Sequence, residues 1–380
     1  MIRSLSLAAA ALVVAGCAGS SSGVRTTLPV PAAASYAASP YAAVAIPAGD
    51  TSRVLRLRVT SKALAGNLLG DSATRTALVY LPPDYATSSS KRYRTLYLLH
   101  GFGAKRNGQN TWLRGFEGFH LGHTMDSLYR AGSVRDLIVI APDGSNFWGG
   151  AFYRDSPVAG GWETFIVREL VGTIDATFRT IRSRDSRGIA GHSMGGYGTL
   201  TMASKFPDVF GAAYAMSPCC IAPAKEAGEL APVWRLIAGA RDVASVSATG
   251  FYGGAMMGLA AAYSPNPAKA PLYVDSPFRA EGNRMVLDTA VANRWMAQAP
   301  LRLMDSLSGN LAKLRALGFD AGRGDNFKDI PVLVPVLDSL LTAKGVKHTT
   351  TLYDGDHNNR IGTRLPAIVL PFFNAALARQ

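Results

Sequence analysis

The sequence predicts an α/β fold: one open, mostly parallel sheet of eight strands with helices on both faces and a lid-like segment inserted into it. Three observations carry this. Short apolar, β-rich runs recur from residue 53 onward, helical patterns lie between the later runs, and one run leads directly into a glycine-rich turn. Strands alternating with helices are joined by crossovers that cover both faces of a parallel sheet. Composition agrees: hydrophobic residues make up 48% of the 380 and charged residues 17%, which excludes a disordered chain, a coiled coil and a collagen-like repeat. The net charge of +13 is scattered over single residues, without the basic runs that nucleic-acid binding uses, so no nucleic-acid partner is expected.

In order, the strands are expected at 54–60, 77–81, 96–99, 137–141, 188–190, 212–216, 317–319 and 349–353. The first two are joined by a short Gly-containing connection and read as an antiparallel hairpin at the sheet edge. The clearest helix starts near Trp162, where Ile166, Leu170, Ile174 and Phe178 recur every fourth residue on one face. Another runs from Pro331, at a first helical position, to Gly345 as its stop signal. From 218 to about 300 the alternation breaks into Gly- and Ala-rich stretches around Phe251-Tyr252-Gly253-Gly254-Ala255-Met256-Met257 and a Pro-rich piece at 263–271. A segment inserted after a strand end commonly covers a pocket. The alternative is a helical excursion that serves packing alone.

The first 17 residues, MIRSLSLAAAALVVAGC, place Arg3 before an apolar stretch and small residues before a cysteine, as in a secretory signal too short to span a bilayer. The end, Val14-Ala15-Gly16-Cys17, resembles the bacterial lipobox, which implies acylation of Cys17 and a protein exported and lipid-anchored at the surface of a cell-envelope membrane. Residues 18–52 are rich in Ala, Ser and Pro and suit a flexible tether, leaving 53–380 as the folded domain. Of the three cysteines, Cys219 and Cys220 then remain as an adjacent pair, either a vicinal disulfide or two thiols packed beside a strand end.

Gly191-His192-Ser193-Met194-Gly195 matches G-x-S-x-G, a weak pattern alone in a chain with 39 glycines. Its context is what gives it meaning: a β-run enters it and a helical run leaves it, so glycine allows a strained elbow that lifts the Ser193 hydroxyl above the sheet edge as a nucleophile. A serine needs a base, and the base a carboxylate, here expected in the order Ser, acid, His on loops after strand ends. His348 opens the last strand, the wrong end, whereas His357 follows its close, so His357 is the base. Asp320 and Asp325 both follow the preceding strand; Asp325, in a Gly-rich turn able to aim a carboxylate across the loop, is favoured. The Met194 amide at the helix start and the Phe102 amide in Leu99-His100-Gly101-Phe102-Gly103 are the oxyanion donors expected, unless His100 and Gly101 merely shape that turn.

Together, Tyr97 to Gly103, Trp162-Glu163-Thr164-Phe165, Gly191 to Gly198, Gly322 to Asp325 and Gly355 to His357 resemble the putative esterase family of α/β hydrolases, which holds esterase D, feruloyl esterases, enterochelin esterases and mycolyltransferases. The similarity runs from about residue 75 to the C-terminus. It implies the α/β-hydrolase fold and the roles already read: Ser193 nucleophile, Asp325 acid, His357 base, Phe102 and Met194 amides as oxyanion hole. One departure is that Asn358 stands where an aromatic residue often follows the histidine. The expected function is a serine carboxylic-ester hydrolase acting on a small-molecule, glycan or lipid ester. An acyltransferase on the same acyl-enzyme is the runner-up, and a non-catalytic binding lipoprotein the third reading.

No cofactor is expected, since there is no nucleotide-binding glycine motif. Nor is a metal: His120 and His123 have a metal-like spacing, but no cysteine or carboxylate completes a set. Phe147, Trp148 and Trp112 either line an aromatic pocket or pack loops, and Glu163 reads as a first-turn residue favoured by the helix dipole.

Overall fold

Five parallel pairings and two antiparallel ones join eight strands into a single sheet in this computed structural model, which describes residues 53–103, 111–223, 228, 231–240 and 242–379. The signal segment, Cys17 and the 18–52 tether lie outside the described residues. The sheet comprises β1 (Val54–Thr60), β2 (Thr74–Tyr80), β3 (Arg94–Leu99), β4 (Leu137–Pro142), β7 (Arg187–His192), β8 (Ala212–Met216), β11 (Ala316–Gly322) and β12 (Thr349–Tyr353). Two-stranded ribbons are formed by β5 (Asp155–Ser156) with β6 (Gly160–Gly161), and by β9 (Phe278–Glu281) with β10 (Arg284–Leu287). Every one of the eight predicted runs becomes a strand of the large sheet. Its order, β1-β2-β4-β3-β7-β8-β11-β12, puts the antiparallel β1–β2 hairpin at one edge, as expected from the sequence.

Chain order reverses around β3: β4 lies on one side and β7 on the other. The carboxyl ends of strands flanking such a switch point frame a crevice where ligands bind. Register makes the crevice specific. Leu99 pairs with Gly191, His192 with Met216, Asp320 with Met216 and Gly322 with Tyr353, so the loops leaving β3, β7, β8, β11 and β12 emerge side by side.

Alternation along the strands divides the core. Tyr97 and Leu99 face the helices of residues 162–177, Met194–Lys205 and Ile330–Ala343, whereas Leu96 and Leu98 face Leu121–Arg130 and Leu370–Ala376. The first of these helices holds a π-helical stretch, Phe165–Leu170, between Trp162–Thr164 and Val171–Thr177. This explains the four-residue spacing of Ile166, Leu170 and Ile174, all fully buried: a spacing wider than the ordinary 3.6 stays on one face where the turns themselves are wide. The helix expected from Pro331 begins at Ile330, ends at Ala343, and is followed by Gly345 at φ +68.

Between β8 and β11 lie the helices Ala231–Ala238, Val243–Ser247 and Gly250–Tyr263, the β9–β10 ribbon, and then Thr289–Ala297, Pro300–Ser306 and Ser308–Leu311. Helical structure thus continues beyond residue 300, where the sequence reading ended the segment. The Gly250–Tyr263 helix is apolar nearly all round and buried from Ala255 to Tyr263, while Phe251 and Tyr252 near its start are exposed.

The elbow is packed backbone on backbone. A Cβ on Gly191 would fall on the Gly195 carbonyl, and one on Gly195 would fall on the Leu99 carbonyl of β3. Gly195→Ala is therefore expected to lower the unfolding free energy in urea by about 3 kcal/mol, because backbone cannot yield as a side chain would. Gly309→Ala, whose Cβ meets open space on a helix, should leave stability unchanged or raise it. Equal effects of the two substitutions would contradict the packing argument.

Candidate active site

Ser193 caps the Met194–Lys205 helix with φ +56 and ψ −117, a conformation that a non-glycine residue holds only at a cost of about 1–3 kcal/mol. What holds it there is visible. The Ser193 N–H donates to Met216 O at 3.0 Å, and its carbonyl accepts the N–H of Tyr197 at 2.9 Å and of Cys219 at 3.3 Å. The flanking glycines allow the helix to sit directly on β3. Ser193 is 9% exposed and faces a cavity of about 650 Å³ that is also lined by His357. That volume is ordinary for a small-molecule site.

His357 follows β12 as expected. Its Nδ1–H donates to Asp325 Oδ2 at 2.8 Å, and Asp325, fully buried, accepts the Phe327 N–H on its other oxygen at 2.9 Å. Both carboxylate oxygens are thus committed, which fixes the imidazole plane and leaves Nε2 as the nitrogen able to act on a hydroxyl. Glycines make the crossing possible: a Cβ on Gly322 would strike the carbonyls of Gly355 and Asp356. Asp320, the other candidate acid, lies within β11 and not in the loop after it. It accepts from the Arg364 guanidinium at 2.6 and 3.0 Å and from Tyr214 OH at 2.9 Å, and burial raises its carboxyl above the usual range in spite of Arg364. Asp356 instead ties its own loop, accepting the N–H groups of Asn358 and Asn359 at 2.7 Å each.

Above the sheet, Gly101, Phe102 and Gly103 line the same cavity. A Cβ on Gly101 would lie 3.3 Å from Ser193 Cβ, which measures how near the turn after β3 comes to the serine. His100 holds that turn: it is fully buried, its Nε2 accepts the Gly144 N–H at 2.8 Å and its Nδ1–H donates to Gly101 O at 2.8 Å. Of the two expected oxyanion residues, Phe102 lies in this turn and Met194 opens the helix that follows Ser193.

The walls are aromatic, and sequence reasoning missed most of them. Phe102, Phe116, Phe152, Phe251, Tyr252 and Phe327 line the cavity. Phe327 packs its edge against His357 at 4.8 Å between ring centres, supplying the aromatic contact that Asn358 does not. Its place two residues after Asp325 was the available signal. Trp112 and Trp148 are core residues instead, so the loop-packing reading of those tryptophans holds. Glu163 pairs with Lys205 at 2.7 Å. His120 caps the Leu121–Arg130 helix and stacks on His123. Among the described residues no three His, Cys, Asp or Glu side chains gather as metal ligands.

One histidine outside the expected set supports the site. His192, 4% exposed, donates from Nε2 to the His357 carbonyl at 2.8 Å, its ring 4.6 Å from that of His357. Burial, reinforced by His357, holds its pKa well below the ordinary 6.5. The unfolded chain therefore takes a proton near pH 6.5 that the folded chain refuses, so this contribution to stability is whole above that pH and is lost as the pH falls below it, by up to about 1.4 kcal/mol per unit. Thermal melts at pH 7.5 and 5.5 should show a larger fall for the natural chain than for His192→Asn. Equal falls would contradict the buried neutral assignment.

Comparison with known proteins places this geometry. Residues 72–361 match the family described as "Putative esterase". An esterase of Mycobacterium tuberculosis is 34% identical over 140 residues, which are 36% of this chain and 27% of that protein. An endo-1,4-beta-xylanase/feruloyl esterase of Xylanibacter ruminicola is 33% identical over 143 residues, 36% of this chain and 18% of that one. The chain thus spans well under two thirds of the length of these relatives. A solved ferulic acid esterase superposes with a TM-score of 0.56 at 22% identity, covering 85% of this chain and 98% of that one. The S-formylglutathione hydrolase of Staphylococcus aureus gives 0.53 at 18%, covering 84% and 98%. At those identities the likeness is one of fold, the α/β-hydrolase fold, while the match over 72–361 shows the lineage: the chain belongs to this esterase family.

Proposed function

We propose that the chain is a serine carboxylic-ester hydrolase that works through an acyl-enzyme on Ser193. The observation that carries the reading is one cavity holding a strained elbow serine and a histidine whose Nδ1–H is fixed by a buried carboxylate. Ser193 Oγ attacks the ester carbonyl while His357 Nε2 takes its proton, and Asp325 stabilises the imidazolium that forms. The oxyanion is met by the Phe102 and Met194 amides, the second at a helix N-terminus whose dipole favours negative charge. Collapse expels the alcohol, protonated by His357, and leaves an acyl group on Ser193. Water, deprotonated by the same imidazole, then releases the acid.

Aromatic walls suit a flat or bulky apolar acyl group. The Xylanibacter ruminicola relative is named a feruloyl esterase, which makes hydroxycinnamoyl esters the first substrates to try. With hydroxycinnamoyl and chromogenic aromatic esters, Ser193→Ala is expected to lower kcat by at least about 10⁴-fold, and Asp325→Asn by about 10⁴-fold with KM little changed, as loss of nucleophile and of tautomer control do. Comparable rates in the natural chain and Ser193→Ala would remove the elbow from the chemistry.

The amino-terminal pattern supports export and anchoring at the cell-envelope membrane through Cys17. Cells fed radiolabelled palmitate should label the full chain and leave Cys17→Ser unlabelled. An unlabelled natural chain would retire the anchor.

A further inference from the structure

We propose that Cys219 and Cys220 form a dithiol/disulfide modification site in the wall of the substrate pocket, closed by thiol–disulfide exchange with a small or protein disulfide. The inference rests on reading the Ser193 cavity as the active site. Both cysteines line that cavity, and their sulfurs, present as thiols, lie 2.7 Å apart. Cys219 is partly exposed and Cys220 is 5% exposed, so the first is open to attack and the second is poised behind it. Cys220 stands at φ +61, in the left-handed region that few residues other than glycine adopt. The segment also touches the chemistry directly: the Cys219 N–H donates to the carbonyl of Ser193 at 3.3 Å.

The exchange is balanced. The Cys219 thiolate attacks one sulfur of the incoming disulfide and expels a thiolate. The Cys220 thiolate then attacks the Cys219 sulfur and expels the second. Two electrons pass from the cysteine pair to the incoming disulfide, which leaves as two thiols after taking up the two cysteine protons. Adjacent Cα atoms lie only about 3.8 Å apart, closer than the roughly 4.4–6.8 Å usual for a bridge. The bridge therefore carries strain and is readily reduced, as a reversible site requires and a structural bridge does not. Closing the bridge moves the backbone at Cys219 and Cys220, and the Cys219 N–H is bonded to the Ser193 carbonyl, so one wall of the pocket is reshaped.

The test equilibrates the purified full chain in glutathione buffers of rising oxidised fraction. Each sample is divided between alkylation with peptide mass analysis and assay on a chromogenic aromatic ester. The peptide holding both cysteines should pass from doubly alkylated to an unalkylated form two hydrogens lighter. In step with it, kcat/KM should fall about 10-fold, within what a displacement of 1 Å at a site can cost, and dithiothreitol should restore both. Cys219→Ser and Cys220→Ala, each compared with its own reduced sample, should lose the redox dependence. A peptide that stays doubly alkylated at every ratio overturns the site. A bridge that forms with no change in rate overturns its coupling to the pocket, as does a redox dependence that survives in either variant. Ester hydrolysis absent even in reduced protein would count against the active-site reading instead, and the peptide mass would still decide whether the bridge forms.

Discussion

The contact on which the site depends is the one between Gly195 and the carbonyl of Leu99, where the elbow helix rests on β3 with no side chain between them. Because the backbones touch, the chain must turn sharply at Ser193, and the turn is paid for in the strained φ +56 of that residue. Because the partner strand is β3, the same contact brings the serine beside Gly101, in the turn that carries Phe102. Ser193 and the turn after β3 are thus positioned by one packing event, with the switch point between β3 and β7 supplying the crevice.

A second arrangement holds the base. His357 is gripped at two places: its side chain by Asp325, and its backbone carbonyl by His192, the residue that precedes the nucleophile. The second grip needs a proton on Nε2, and because burial keeps His192 neutral, the bond fixes which ring nitrogen carries it. The elbow therefore contributes to placing its own base. A hydrogen bond from β7 to the loop after β12 crosses over β8 and β11, and it does so through the space that the parallel register leaves open at the strand ends.

What was legible in the sequence is what backbone constraint writes into residue type. Strands show as apolar runs, and the elbow shows because close approach admits only glycine at 191 and 195. The carboxylate that meets His357 was legible by position: Asp320 belongs to β11, where pairing with Met216 and Thr351 commits its side chain to the Arg364 and Tyr214 face, while Asp325 lies in the turn beyond. The pocket was not legible. Phe152, Phe251 and Phe327 come from three separate loops and helices, and which ring points inward depends on tertiary placement that no period records. Trp112 and Trp148 had the same local appearance and went into the core.

Phe102 joins these two levels. Its amide belongs to the turn beside Ser193, and its ring packs against Phe152 at 5.8 Å and Phe251 at 5.4 Å. That ring fits only because glycines surround it: a Cβ on Gly149, Gly150 or Gly258 would press on it. Gly258 and Phe251 lie on the Gly250–Tyr263 helix, so a helix that walls the cavity also holds the ring of Phe102. An acyl group pressing on Phe251 would press on Phe102 as well. Under the proposed reaction, substrate fit would in this way reach the proposed oxyanion donor, and binding at a distance from the carbonyl would be turned into transition-state stabilisation and not into affinity alone.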